Sequence, residues 1–303
     1  MTSNNKGAIG RAQNVADGWV SITPATPRKR RIAAIIGGIE KTGKTTLAGS
    51  GDDPVYLLSI DRGSEVLALK SAGRQIYMRK YLSPREAQPG QHEQVWAQFK
   101  SDFYGVLKVG KGTLIVDTET SMYEIIRLAR FGKLTQVTPE QYGPINAELT
   151  AMMDAAFETE MNIIMVRRTA AEYAGRQRTG GWEDRGWNQM PFIMDMRIWT
   201  YRCMAGMCQV MRMDGKSTLH PAGNGFHARI RDSRWRHELV GMDYSTEPPN
   251  LLSLQVIASH VFDGVQVQMP VMAPVQPTAT QPLAEGTAAI ADKTEPEPTS
   301  ANR

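Results

Sequence analysis

At 303 residues and 41% hydrophobic side chains, the chain has the apolar material for one large or two ordinary folded domains, which excludes a wholly disordered protein. No uninterrupted apolar run approaches the ~20 residues of a membrane span, and the N-terminal MTSNNKGAIGRAQNVADGW lacks the apolar centre of a signal peptide, so no membrane is expected and the expected compartment is the cytoplasm. The net charge of +4 is mild but unevenly spread. Arg28, Lys29, Arg30 and Arg31 form one basic run, Arg167 to Arg185 is a second Arg-rich stretch, and Arg229, Arg231, Arg234 and Arg236 form a third, while Glu285, Asp292, Glu295 and Glu297 make the final segment acidic. A basic body of this kind suits a polyanionic partner. Cys203 and Cys208 have no His/Cys surroundings of zinc spacing and read as reduced structural thiols.

In chain order, residues 1–30 are polar, end in TPATPRKRR and read as a flexible basic arm, and a folded core is expected over 31–242. The core opens with RIAAIIGGIEKTGKTTL, where the apolar strand Ile32 to Ile36 breaks into a glycine-punctuated loop and then into helix formers. Gly38, Gly43, Lys44 and Thr45 fit the phosphate-binding pattern G-x-x-x-x-G-K-[ST]. The glycines let successive backbone N–H groups turn inward around a phosphate, and the helix that follows presents its positive end to the same anion. Lys44 then reaches the β- and γ-phosphates and Thr45 holds the bridging Mg²⁺. ATP and Mg²⁺ are the expected cofactors, held by Gly38, Glu40, Lys41, Thr42, Gly43, Lys44, Thr45 and Thr46. Val55 to Ile60 reads as a second buried strand ending at Asp61, and Gln75 to Tyr81 as a third. Pro84 to Leu107 is mostly helix, with Val95, Trp96, Phe99 and Phe103 spaced to enter the core.

Thr113 to Thr120, TLIVDTET, is an apolar strand ending in an acid, and Asp117 is placed to order the metal's water shell beside Thr45. Glu119 and Asp61 both lie near strand ends on the nucleotide side, and either could polarise an attacking water. Helices follow over Ser121 to Phe131 and Pro139 to Phe157, then a buried strand, Asn162 to Val166, that runs straight into Arg167 and Arg168. Apolar strands alternating with helices give an α/β fold with a mainly parallel sheet and ligand at the strands' carboxyl ends. The stretch from Thr169 to Asp195 is too long for a simple connector. It interleaves Arg176, Arg178 and Arg185 with Tyr173, Trp182 and Trp187, and cations beside stacking rings are what single-stranded DNA binding requires. The bland counterpart is a lid whose tryptophans fill the core. Arg197 to Cys203 and Cys208 to Met213 alternate as half-exposed strands with a hairpin turn at Met213 to Lys216, an antiparallel extension of the sheet. Arg229 to Arg236 is either a second backbone contact or a solvated edge. From Asp243 the composition turns to Pro, Thr, Ala and Gln, and 243–303 reads as a disordered tail that could recruit a partner.

GGIEKTGKTTL resembles the P-loop of the RecA recombinase family, including Glu40 between the motif glycines and the doubled Thr45-Thr46, and TLIVDTET resembles that family's metal-site strand. The strand ending at Arg167, the loop carrying Arg178-Thr179-Gly180-Gly181 and the strand Met196 to Met204 are similar to its nucleotide-sensing strand end, DNA-binding loop and next core strand. The order and spacing also resemble the shorter RecA-like ATPases of bacteriophages, some of which act in single-strand annealing and recombination. Covering about Arg31 to Met213, the resemblance implies a RecA-like ATPase that uses Lys44 and Asp117, with Glu119, Asp61 and Arg167 beside them. It further implies single-stranded DNA as partner, a ring or filament of like subunits, and the host cytoplasm. The family carries a glutamine where this chain has Arg167 or Arg168, and a glutamate near Ile60-Asp61-Arg62, so the catalytic base stays open. A nucleotide-switched interaction protein, such as a replication loader or packaging accessory, is the alternative from another class. A small-molecule kinase is a third, against which the long basic and aromatic loop argues.

Overall fold

The computed structural model describes residues 31–65, 67, 73–133, 138–203, 225–245 and 252–264, together with the backbone of four short strands. Two of these, β1 (Asn14–Ala16) and β2 (Trp19–Val20), pair antiparallel. The flexible arm expected over 1–30 otherwise lies outside the described residues, as do 265–303 of the expected tail.

The remaining strands are β3 (Ala33–Gly38), β4 (Val55–Ser59), β5 (Ile76–Lys80), β6 (Thr113–Asp117), β7 (Asn162–Val166), β8 (Arg168–Ala174), β9 (Gln177–Arg185), β10 (Met196–Arg202), β11 (Gln209–Met211), β12 (Ser217–Leu219), β13 (Phe226–Ser233) and β14 (Asp243–Ser245). Eight of them form one sheet in the order β14-β13-β10-β3-β7-β6-β4-β5. From β10 to β5 every neighbour is parallel, and β13 and β14 extend the sheet antiparallel. The fold is therefore α/β with a mainly parallel sheet and an antiparallel extension. The cause is legible in the strands: β3, β6 and β7 are buried at every position, as strands covered on both faces must be.

The covering helices are α1 (Lys44–Ala48), α2 (Gln91–Leu107), α3 (Glu119–Phe131), α4 (Gly143–Phe157), a single turn α5 (Met190–Ile193) and α6 (Leu254–Ser259). Trp96, Phe99 and Phe103 of α2 pack with Ile125 of α3 and Leu149 and Met153 of α4 on one face of the sheet. On the other face Leu47 and Ala48 of α1 meet Ile198, Ile230, Tyr244, Leu254 and Ile257. No helix of the described residues is long and apolar enough to cross a membrane.

Two expectations are corrected here. Ordered structure continues past residue 242: Tyr244 on β14 is fully buried, and Leu254, Ile257 and Val261 pack into the second face, with the Leu254 N–H donating to Ser50 Oγ at 2.8 Å. A few apolar residues spaced through a Pro- and Thr-rich segment suffice to anchor it, and composition averages them away. The stretch from Thr169 to Asp195 is also not a loop, because β8 and β9 form an antiparallel hairpin over most of it. Of the expected hairpin at Met213 to Lys216, β11 and β12 pair as its arms, while the turn lies outside the described residues.

Candidate functional site

The loop between β3 and α1 curls back on itself through positive φ at Gly38 (139°), Lys41 (59°) and Gly43 (87°). Gly38 is required for a second reason: a Cβ there would sit 2.3 Å from the Thr200 carbonyl oxygen and 2.4 Å from its Oγ1. The buried Thr200 on β10 braces the loop from below, sharing a 2.7 Å bond between hydroxyls with Thr42 and donating to the Gly37 carbonyl at 3.1 Å. Lys44 folds over the loop and donates to the Gly38 and Ile39 carbonyls at 2.9 and 2.7 Å. Burial pushes its ammonium below the usual lysine range, and Asp117, Glu40 and Asp61 oppose that shift. Glu40, Lys41 and Thr46 are exposed. Helix α1 is only five residues long and no side chain caps its N-terminus, so its first-turn N–H groups remain open to an anion.

Asp117 ends β6, separated from β3 in the sheet by β7. A strand-end acid can also cap the next helix, but Thr118 fills that role for α3 by accepting from the Ser121 N–H. The Asp117 carboxylate is thereby left for the loop. Its Oδ2 accepts from Thr45 Oγ1 at 2.8 Å and from Ser64 Oγ at 3.1 Å. Burial raises its pKa above the ordinary carboxylate range, with the Thr45 and Ser64 bonds opposing. The oxygen donors, the compensating cation and the open N–H groups are the set that a Mg²⁺–nucleoside triphosphate needs, so Thr45 and Asp117 fit the metal and Lys44 the phosphates.

The structure separates the two carboxylates that the sequence left equivalent. Glu119 is 0% exposed and bound on both oxygens, by Arg167 Nε at 2.9 Å and by the Trp187 N–H at 2.8 Å. A Cβ at Gly186 would lie 2.0 Å from it, so glycine alone fits there. Asp61 follows the end of β4, its N–H donating to the Asp117 carbonyl at 3.2 Å, and its partly exposed carboxylate is paired with Arg168. Arg167, expected at the nucleotide, is 2% exposed and spends its guanidinium on Glu119 and the Trp187 carbonyl. The physical reason is strand alternation: Arg167 falls on the face of Ile163 and Met165 and enters the cluster that holds Trp187, while Arg168 falls on the other face and turns toward Asp61.

Both roots of the hairpin are tied to this site. Thr169 Oγ1 donates to the Gly38 carbonyl at 3.1 Å, and Thr120 accepts from the Arg168 N–H while donating to the Arg185 carbonyl. Beyond the roots the hairpin is open. Arg176, Arg178 and Arg185 are exposed, Trp182 is half-buried beneath the Arg178 guanidinium at 5.3 Å, and Tyr173 is 58% exposed. Trp187 corrects the expectation of a stacking ring: it is 1% exposed, packs among the core residues, and donates its indole N–H to Asn146 at 2.9 Å. The third basic stretch is largely paired, Arg229 with the buried Asp243 at 2.7 Å and Arg236 with Glu238 at 2.7 Å. Thr200 and Ser64 are site contacts with no local signal in the sequence. Arg168, expected beside Arg167 at the strand end, is found on Asp61.

No protein family matches the chain, and no curated protein does. Among solved structures, the chain is similar to the RadB recombinase at 12% identity and a TM-score of 0.37, over 71% of this chain and 86% of that one. It is also similar to a prototypical ATPase of a type III secretion system at 16% identity and a TM-score of 0.38, over 55% of this chain and only 50% of that one.

Proposed function

We propose that the chain is a Mg²⁺-dependent ATPase of RecA-like type whose β8–β9 hairpin contacts single-stranded DNA. The observation that carries the reading is the 2.8 Å bond between Thr45 and Asp117, which brings the loop's hydroxyl and the β6 acid to one point beside Lys44. When bound, Mg²⁺ would neutralise the charge that develops on the phosphates. Lys44, now on two loop carbonyls, would hold the phosphates, and Thr45 and Asp117 would hold the metal. Asp61, paired with Arg168 but partly exposed, is the carboxylate that water can reach to give up a proton, since Glu119 is fully buried.

The likeness of GGIEKTGKTTL and TLIVDTET to the recombinase family supports recombination, annealing or replication of phage type as the process, with a ring or filament of like subunits. The exposed Arg176, Arg178 and Arg185 with Trp182 support DNA over a purely protein partner. The test is to titrate a labelled single strand at rising salt in the presence of a non-hydrolysable ATP analogue. Binding that weakens linearly in log salt is expected, because bound phosphates release counterions. Nucleotide binding with no affinity for DNA at low salt would favour the nucleotide-switched interaction protein instead.

A further inference from the structure

A cleft of about 390 Å³ opens between the hairpin and the sheet, and the nucleotide site does not use it. Its walls include Trp182 and Asp184 of β9, Phe192 of α5, Arg197 of β10 and Arg231 of β13. Strand alternation gives the hairpin two different faces: Arg178, Trp182 and Asp184 fall on one, Glu183 and Arg185 on the other. Asp184 packs against Gly37, where a Cβ would lie 2.7 Å from its Oδ1, so the face carrying Trp182 and Arg178 is the one turned toward the sheet.

Charge in the cleft does not balance. Arg167 borders it but is committed to Glu119, and Glu183 is paired with Arg185 at 2.7 Å. Arg197 and Arg231 are left facing the single carboxylate of Asp184, which Arg197 meets at 3.2 Å and which draws Arg231 electrostatically. The buried Nε of Arg197 and Oδ1 of Asp184 have no hydrogen-bond partner, and a phosphate oxygen would accept from the former. Trp182 already lies beneath Arg178 at 5.3 Å, which leaves Phe192 as the open ring. Phe192 is 80% exposed, and the Arg231 guanidinium lies 3.7 Å over Trp199 as a flat cationic shelf.

We propose that this cleft holds one nucleotide unit of a single strand, with its phosphate on Arg197 and Arg231 and its base stacked on Trp182 and Phe192. The proposal rests on the reading of the hairpin as a DNA contact. An inorganic anion would leave the rings unused and an apolar ligand would leave the guanidinium charge unmet, whereas a nucleotide answers both. A free nucleoside monophosphate shares that chemistry, so the experiment includes both sources.

The full chain is titrated with a fluorescein-labelled oligothymidylate and, separately, with thymidine monophosphate, as wild type, Phe192→Ala and Arg231→Gln. Phe192→Ala removes a ring that packs against little, so its melting temperature should stay at the wild-type value. Its oligonucleotide affinity should fall roughly 5- to 150-fold, the loss expected for one stacked base. Arg231→Gln should lower the log–log salt slope by about 0.7, one phosphate of a single strand. If Arg231→Gln unfolds because its stack on Trp199 is lost, Phe192→Ala decides alone. Wild-type oligonucleotide affinity in Phe192→Ala would overturn the cleft and leave the hairpin reading standing. Monophosphate binding that Phe192→Ala abolishes, without oligonucleotide binding, would keep the cleft and remove the single-strand reading. Failure of the wild type to bind either probe would overturn both.

Discussion

The phosphate loop and the β8–β9 hairpin adjoin at the Thr169–Gly38 bond, yet they are built in opposite ways. In the loop, short polar contacts close on themselves: Lys44 on two carbonyls, Thr42 on Thr200, Thr45 and Ser64 on Asp117. Beyond its roots the hairpin leaves arginines and rings in solvent or over a cleft. A site for a small, highly charged ligand needs preorganised donors, whereas a surface for a long polyanion needs reach and spare charge. Between them lies the buried Arg167–Glu119 pair, which belongs to neither and holds the hairpin root to the strand end.

The comparison is best tested where its two halves meet. Asp61→Asn should lower kcat by about 10²- to 10⁴-fold with nucleotide affinity retained, the range for loss of a general base. Glu119→Gln should act through stability instead, and equal kcat losses in two equally stable variants would break the distinction between the carboxylates. Arg167→Ala should destabilise by about 3–5 kcal/mol in urea unfolding, because it strands a buried carboxylate. Trp187→Ala should cost about 3–5 kcal/mol as a large core ring. Trp182→Ala should leave unfolding nearly unchanged and instead weaken single-strand binding by about 1–3 kcal/mol. A Trp187→Ala variant of wild-type stability would return that ring to the surface.

The smallest effect concerns pH. Burial raises the Asp117 pKa, so the folded protein holds that proton where the unfolded chain has released it, and stability falls as pH rises through that window. Asp117→Asn should therefore slightly raise the melting temperature of the nucleotide-free protein at neutral pH while removing its Mg²⁺ dependence. A lowered melting temperature would mean that the Thr45 and Ser64 bonds outweigh the desolvation.

What the sequence disclosed and concealed follows the same division. The loop's chemistry is written in eight consecutive residues from Gly38 to Thr45, and the strands β3, β6 and β7 in unbroken apolar runs, so both were legible by spacing alone. Trp182 and Trp187 sit in the same glycine-rich stretch with nothing local to tell them apart. Their separation into a half-buried hairpin ring and a core ring depends on where β9 ends and on Glu119, 68 positions from Trp187, bonding its N–H. Thr200 beneath Gly38 is a contact of the same kind, made across the β10–β3 pairing. Phe192 drew no attention because its exposure is set by the turn α5, whose four residues give no periodic signal.

On the proposed reading Lys44, held over the loop by the Gly38 and Ile39 carbonyls, serves the phosphates of ATP. The direct measurement is phosphate release from ATP by purified wild-type and Lys44→Ala proteins, with Mg²⁺ and with the metal chelated. Mg²⁺-dependent hydrolysis by the wild type and none by a folded Lys44→Ala protein is the predicted result; hydrolysis by Lys44→Ala at the wild-type rate would contradict it.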